Sequence, residues 1–239
     1  MITLATFTFK RTDRLLKCLQ TIDSIHVNEI LIFNDDETEK LTLDVLGVDY
    51  PNIKIFNPSD WNFTGRKFRK PIYLNKAINV AKNDKVLFSD DDGRFNKGAI
   101  DLHHDTLDHY NFSAGAIIRD RFLNRVSRSI LQGTNYAFNK SLFTKIGGYD
   151  EAFCNSMGGG DVDFWYRLYN YCQLNNEPCA FLPTAIQMVT GKGSRVKKNI
   201  QLNPREYTLE KHGLNLSGPM YKWFPDIRDK KKWMTIING

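Results

Sequence analysis

The chain has 239 residues, of which 41% are hydrophobic and 25% charged, an ordinary globular composition with material for one large domain or two small ones. Its net charge of +6 and isoelectric point near 9.0 suit phosphate-bearing partners, anionic membrane surfaces or acidic glycans without choosing among them. No apolar run approaches the roughly 18 residues of a spanning helix, and the N-terminus has no signal-peptide pattern. The four cysteines, Cys18, Cys154, Cys172 and Cys179, show no Cys-x-x-Cys spacing. That spacing indicates neither a zinc site nor a disulfide framework; we expect a reducing compartment, the cytoplasm, with the cysteines mostly as small core residues.

Ile2 to Phe9 is rich in β-branched and aromatic residues and reads as a strand. Leu15, Leu16, Leu19 and Ile22 follow at helical spacing, with Thr12 or Asp13 available as the cap. The next apolar runs are Glu29 to Phe33, ending in Asn34-Asp35-Asp36, and Ile53 to Phe56, ending in Asn57-Pro58-Ser59. A fourth, Lys85 to Ser89, runs into Asp90-Asp91-Asp92-Gly93. Strands alternating with helical stretches predict a mostly parallel sheet flanked by helices, and such sheets bind ligands beyond the carboxyl ends of their strands. Thr8 with Arg11, Asp35 with Asp36, and Asp90 to Asp92 all fall at those ends.

Three consecutive carboxylates repel one another, so the triplet suits a hard divalent cation bridging to phosphate. Its plainer reading is a solvated acidic turn in which Gly93 supplies a positive φ. Between the third and fourth strands, Gly65-Arg66-Lys67-Phe68-Arg69-Lys70-Pro71 offers an anion cradle or, equally, a solvated basic loop. Pro71 suits the first turn of a helix whose apolar face is Ile72, Leu74, Ala77, Ile78 and Ala81.

Lys97 to His109 predicts a helix with Ile100, His104 and Leu107 on one side, and Ala114 to Ile118 another strand. His103 and His104 point to different faces and read as surface or partly buried groups rather than metal ligands. A strand near Gln132 to Phe138, a short helix and a Gly147-Gly148 stop follow. The second motif is Gly158-Gly159-Gly160-Asp161-Val162-Asp163-Phe164-Trp165, where backbone can approach a ligand closely and Asp161 enters a helix carrying Phe164, Trp165, Leu168 and Tyr169. Asp161 alone would pass for an N-cap.

Cys179 to Val189 reads as a strand, and the basic, glycine-rich 190–198 as a surface loop or a lid over a diphosphate; it lacks Walker A spacing. Asn203, Pro204 and Glu206 signal a further helix stopping at Gly213, with His212 near its end. The tail sets Trp223, Phe224, Trp233, Met234, Ile236 and Ile237 around 228–232, fit to pack on the body or to touch a membrane surface.

Taken together, the Thr6 to Arg11 segment, the Asn-Asp-Asp strand end, the Leu74-Asn75-Lys76-Ala77 helix and the Ser-Asp-Asp-Asp strand end resemble the nucleotide-sugar half of GT-A glycosyltransferases. The closest likeness is to family-2 inverting and galactosyltransferase C-terminal-like enzymes. Ile146-Gly147-Gly148-Tyr149-Asp150-Glu151 and the Gly-Gly-Gly-Asp-Val-Asp-Phe-Trp motif, about 70 residues beyond the triplet, match their acceptor half, although Gly160 stands where an acid is usual. The resemblance implies one GT-A domain over residues 1–215, with a nucleotide-sugar half at 1–95, an acceptor half at 96–215 and a tail at 216–239 packed on it. It implies Mn²⁺ or Mg²⁺ on Asp90 and Asp92, with His212 a candidate third ligand. Thr6, Thr8, Arg11, Asp35, Asp36, Arg66, Arg69, Lys70, Asn75, Asp90 and Asp91 fall to the donor, a UDP-sugar by preference. Asp161 is the general base, Asp163 its less favoured substitute, and Gly159, Gly160 and Trp165 lie on the acceptor side.

The expected activity is metal-dependent transfer of a sugar, of hexosyltransferase type and with inversion, to a hydroxyl of a glycan or of a lipid- or protein-linked acceptor. No nucleic-acid partner is expected, peripheral membrane contact stays open, and the oligomeric state is unknown. A nucleotidyltransferase acting on sugar phosphates is the rival enzyme, but the segment from Phe7 to Asp13 lacks the glycine-rich loop that class places after its first strand. A non-catalytic carbohydrate- or nucleic-acid-binding module would leave the acids at the strand ends unexplained.

Overall fold

The structure is a computed structural model that describes residues 1–47, 52–61, 68–119, 127–129, 133–155, 159–189, 207, 210–212 and 234–235. Arg66, Gly158, the 190–198 segment, the helix start at 203–206, Gly213 and nearly all of the tail lie outside the described residues.

In chain order the elements are β1 (Ile2–Thr8), α1 (Thr12–Leu19), β2 (Val27–Asn34), α2 (Leu43–Leu46), β3 (Ile53–Phe56), α3 (Lys70–Val80), β4 (Lys85–Asp90) and β5 (Gly93–Phe95). Then come α4 (Ala99–Thr106), β6 (Phe112–Arg119), β7 (Ser127–Ser129), β8 (Tyr136–Asn139), α5 (Lys140–Lys145), α6 (Gly160–Asn175), β9 (Cys179–Val189) and β10 (Met234–Thr235). One sheet orders the strands β10-β9-β6-β8-β4-β1-β2-β3, with β5 added to β9 and β7 to β6. β3, β2, β1 and β4 are mutually parallel, as the strand–helix alternation predicts. β8 enters antiparallel between β4 and β6, which makes the sheet mixed.

The strands are buried on both faces. Along β1 and β2, Leu4, Ile30 and Ile32 join one apolar layer with Leu15 and Leu19 of α1 and Ile100 of α4. Ala5, Leu31 and Phe33 join the other, with Leu74 and Ala77 of α3 and Phe164, Trp165 and Leu168 of α6. This is the period-2 alternation of a strand covered twice, and each fully buried Leu or Phe contributes roughly 1.5–3 kcal/mol. All four cysteines are buried free thiols, as expected. Among the described residues no helix is long and apolar enough to cross a membrane.

Three local expectations are corrected. Neither Thr12 nor Asp13 caps α1: Arg11 holds the N-cap position and no side chain bonds there. Gly93 has no positive φ; it is small because a Cβ would lie 2.1 Å from the Gln187 side chain across the β5–β9 pair. On α4 it is His103, not His104, that turns inward with Ile100 and Leu107. Its Nδ1 meets Ser113 Oγ at 2.7 Å and its Nε2 meets Asn135 Oδ1 at 3.1 Å. Asn135 in turn donates to the carbonyls of Ala116 and Ala185, so the imidazole sits in a closed polar knot beneath the sheet.

Burial holds the His103 imidazole down at about pKa 4, against the Asn135 bond that favours its charged form. An ordinary histidine titrates near 6.5, so the unfolded chain binds a proton between pH 6.5 and 4 that the folded chain refuses. The stability tied to neutral His103 is therefore present above pH 6.5 and declines as pH falls to 4, by on the order of 3 kcal/mol. Urea unfolding at pH 7.5 and 4.5 should show this loss in the wild type and a shallower pH dependence in His103→Gln; equal slopes would contradict it.

Candidate active site

The candidate site lies beyond the carboxyl ends of β1 and β4, where the parallel register sets Phe7 beside Asp90. The three acids divide by burial. Asp91 points inward and is 0% exposed; it accepts from Thr8 Oγ1 at 2.7 Å and pairs with Arg11 Nη2 at 2.7 Å. Burial pushes its carboxyl up to about 7, against the lowering by Arg11 and Thr8. Asp90 and Asp92 are less buried, with side chains 25% and 12% exposed. Arg11 and Arg14 approach Asp92 at 3.4 and 3.9 Å. Burial and the neighbouring Asp90 charge raise the pKa of Asp92, and the two arginines lower it. The triplet is thus one buried anchor flanked by two less buried carboxylates.

Lys70 joins this cluster to the second motif. It opens α3, and its ammonium donates to Asp90 Oδ1 at 2.6 Å and to the Gly133 carbonyl at 2.7 Å, while lying 4.6 Å from the centre of the Phe7 ring. Burial alone would drive off its proton, but the charges of Asp90 and Asp161 outweigh burial and hold it cationic. Asp161, in the first turn of α6, lies near enough for its charge to act on the same ammonium. Burial raises its pKa, Lys70 lowers it, Asp90 raises it, and a hydrogen bond from the Tyr149 hydroxyl lowers it. A Cβ at Gly133 would lie 2.5 Å from Asp161 Oδ2 and 2.8 Å from Lys70 Nζ, so only glycine leaves room for the pair. Beside them opens a cavity of about 110 Å³ whose lining includes Phe7, Phe68, Lys70, Tyr149, Phe153 and Asp161.

Among the other expected donor residues, Arg69 pairs with Asp35 at 2.8 Å and also with Glu37. Tyr73 donates to Asp35 at 3.2 Å. Asp36 accepts from the amide and hydroxyl of Thr38 at 2.9 and 2.7 Å. Both acids after β2 are thereby sunk in the strand-end loop, at 4% and 5% exposure. Thr6 is buried, and its hydroxyl has no hydrogen-bond partner among the described residues. Asn75 grips the Tyr149 backbone at both ends, donating to its carbonyl at 2.9 Å and accepting from its amide at 2.7 Å. It therefore fixes the loop that carries Tyr149.

On the acceptor side, Gly159 caps α6 with φ +88° and Gly160 begins the helix against Phe153. Trp165 is not at the site surface. It is 2% exposed and packs on Phe112, Tyr136 and Phe164, because the inward stripe of α6 runs through Phe164, Trp165, Leu168 and Cys172.

His212 is held by Asp163, with Nε2 at 2.7 Å from its carboxylate. The fully buried Asp163 also takes Arg167 at 2.7 Å and Lys211 at 2.9 Å, and Lys211 reaches Asp150 at 2.8 Å. This network ties Lys211 and His212 to the first turn of α6 and occupies both Asp163 oxygens with cationic or hydrogen-bonding partners. The carboxylate oxygens of Asp90 and Asp92 have the hard-donor chemistry of a Mg²⁺ or Mn²⁺ site that substrate phosphates complete. No third side-chain donor joins them among the described residues; the group of three there that could hold an ion, His26, His104 and Asp105, lies elsewhere.

Sequence reasoning missed four participants: the Gly133 carbonyl, the Tyr149 hydroxyl, and Thr134 with Gln187, which brace Asp90. Thr134 Oγ1 accepts from the Asp90 amide at 2.8 Å and donates to Gln187 Oε1, and Gln187 donates to Ser89 Oγ at 2.7 Å. Only the Gly-Gly-Tyr-Asp motif pointed toward one of them.

The fold built on this edge is the GT-A-like fold of glycosyltransferases. It superposes on S. aureus TarS 1–349 in complex with UDP-GlcNAc with a TM-score of 0.65 and 16% identity, covering 86% of this chain and 63% of that one. With TarS 1–349 in complex with UDP the TM-score is 0.62 and the identity 14%, covering 80% of this chain and 60% of that one. This chain thus spans less than two thirds of those structures. No protein-family model and no curated protein matches the sequence.

Asp163→Ala leaves Arg167, Lys211 and His212 facing an empty, buried position. Because Lys211 and Arg167 reach solvent, we expect a loss of about 3 kcal/mol rather than more, read as a lower urea midpoint; a change under about 0.5 kcal/mol, as for an ordinary surface position, would contradict the anchoring role.

Proposed function

We propose that the protein is a glycosyltransferase that moves a sugar from a nucleotide-sugar, by preference a UDP-sugar, to an acceptor hydroxyl with inversion. The observation that carries this reading is the Lys70 ammonium, bonded to Asp90 on the strand-end triplet and under the charge of Asp161 on the acceptor motif. Lys70, bonded to the donor-side Asp90, and the acceptor-side Asp161 line one aromatic-walled cavity. The two TarS complexes, with UDP-GlcNAc and with UDP, support a nucleotide-sugar donor for this fold.

In this mechanism the acceptor hydroxyl faces Asp161. Its oxygen forms the new bond to the anomeric carbon while the bond from that carbon to the diphosphate oxygen breaks, and the hydroxyl proton passes to the Asp161 carboxylate. The raised Asp161 pKa brings the base closer to the pH at which a general base is most effective. Charge leaving with the diphosphate is met by the Lys70 ammonium, with Arg11 holding the triplet in place. The oxocarbenium-like transition state is flanked by carboxylates, which favour positive charge there. Phe7, Phe68, Tyr149 and Phe153 offer apolar walls to a sugar ring and exclude water from the reacting carbon. A divalent cation on Asp90 and Asp92 would add electrophilic neutralisation of the diphosphate.

Calorimetric titration should show UDP binding that strengthens with Mn²⁺ and is lost in Asp92→Ala. Asp161→Asn should keep UDP affinity but slow UDP release from its UDP-sugar by about 10²–10⁴-fold. No binding of UDP, GDP or CMP under any of these conditions would overturn the donor site. Wild-type turnover in Asp161→Asn would overturn the base.

A further inference from the structure

At the opposite, amino-terminal edge of the sheet stands a cluster that the proposed transfer does not use. His26 immediately precedes β2, and its carbonyl accepts from the Ile2 amide at 2.9 Å at the start of β1. His104 lies in the last turn of α4, which Lys85, at the start of β4, clamps through the His104 carbonyl at 2.8 Å. The two imidazoles stack face to face, with ring centres 3.9 Å apart and planes within 5°. The Asp105 carboxylate meets His104 Nδ1 at 2.9 Å. One ligand atom from each of His26, His104 and Asp105 falls within 4.8 Å of the others.

We propose that His26, His104 and Asp105 form a binding site for a borderline divalent transition metal of the Zn²⁺ class, separate from the strand-end acids. Two imidazole nitrogens and one carboxylate oxygen are a common three-ligand set for such ions, leaving a fourth position to water. Nitrogen-rich donors favour Zn²⁺, Co²⁺ or Ni²⁺ over Mg²⁺, whereas the all-oxygen pair Asp90 and Asp92 has the opposite preference, so one chain carries two sites of opposite hardness. The ring of His104 is already oriented from both sides, by Asp105 at Nδ1 and by the Met1 nitrogen 3.2 Å from Nε2. Loading turns the His26 ring out of the stack so that a nitrogen of each imidazole can face one ion in its own ring plane, exchanges one of the His104 contacts for the ion and releases the proton it holds. Access is open, since the Asp105 side chain is 70% exposed and that of His104 12%. A bound ion cross-links the turn ahead of β2 to α4, two segments otherwise joined here by the Ser24–Asp101 hydrogen bond and the ring stack.

The test uses the full chain without a polyhistidine tag. Titration with Co²⁺ should give one equivalent of a species with the visible absorption of a tetrahedral site, unchanged by saturating Mg²⁺. Zn²⁺ should displace it and raise the unfolding midpoint. His26→Ala and His104→Ala should each abolish the absorption and the thermal shift while UDP titration stays as in the wild type. Absence of the Co²⁺ species at micromolar metal, or its persistence in His26→Ala, would overturn the proposal.

Discussion

A lysine ammonium buried among carboxylates is the constraint on which this molecule turns. An isolated buried charge costs several kcal/mol, and Lys70 is tolerated because Asp90 and the Gly133 carbonyl bond it directly while Asp161 faces it. The reverse holds too: Asp90 and Asp161 come from distant parts of the chain and would repel each other without the cation between them. The cluster therefore stands or falls together. It fixes the start of α3 against the end of β4, and loss of Lys70 would leave Asp90 and Asp161 without the cation between them.

The supports around it follow the same electrostatic logic. Asp91 spends its charge inward on Arg11 and Thr8, and its two neighbours are less buried. Asp163, two residues past Asp161, is wholly committed to Arg167, Lys211 and His212. Beside these anchored acids, Asp161 lines the cavity and Asp90 bonds the Lys70 ammonium that lines it too. In each motif, then, alternate acids divide the labour: one holds the backbone still and its neighbour is left to act.

Much of this was legible in the sequence. The four parallel strands showed as apolar runs ending in polar residues, because strands buried on both faces leave little else to read. The triplet and the Gly-Gly-Gly-Asp motif marked the two acidic centres. What stayed hidden has physical reasons. An apolar strand does not encode its partner's direction, so β8 was legible as a strand but its antiparallel course was not. Lys70 stood beside Arg69 with nothing to show which of the two would meet Asp90 and which Asp35. Gly133 contributes a carbonyl and an absence of Cβ, neither of which has a side-chain signature. His212 could pair with any acid nearby, and packing gave it Asp163. Trp165 was readable as core from its i−1 and i+3 neighbours Phe164 and Leu168, a signal outweighed by its closeness to the motif.

The most direct test of the central claim is a crystal structure with UDP bound. The account predicts the diphosphate beside Asp90 and Asp92 within hydrogen-bonding reach of Lys70, with Asp161 facing the position where the sugar would be attached. A nucleotide seated away from Lys70, or one that leaves the Lys70–Asp90 and Asp161 cluster outside the bound ligand's reach, would contradict it.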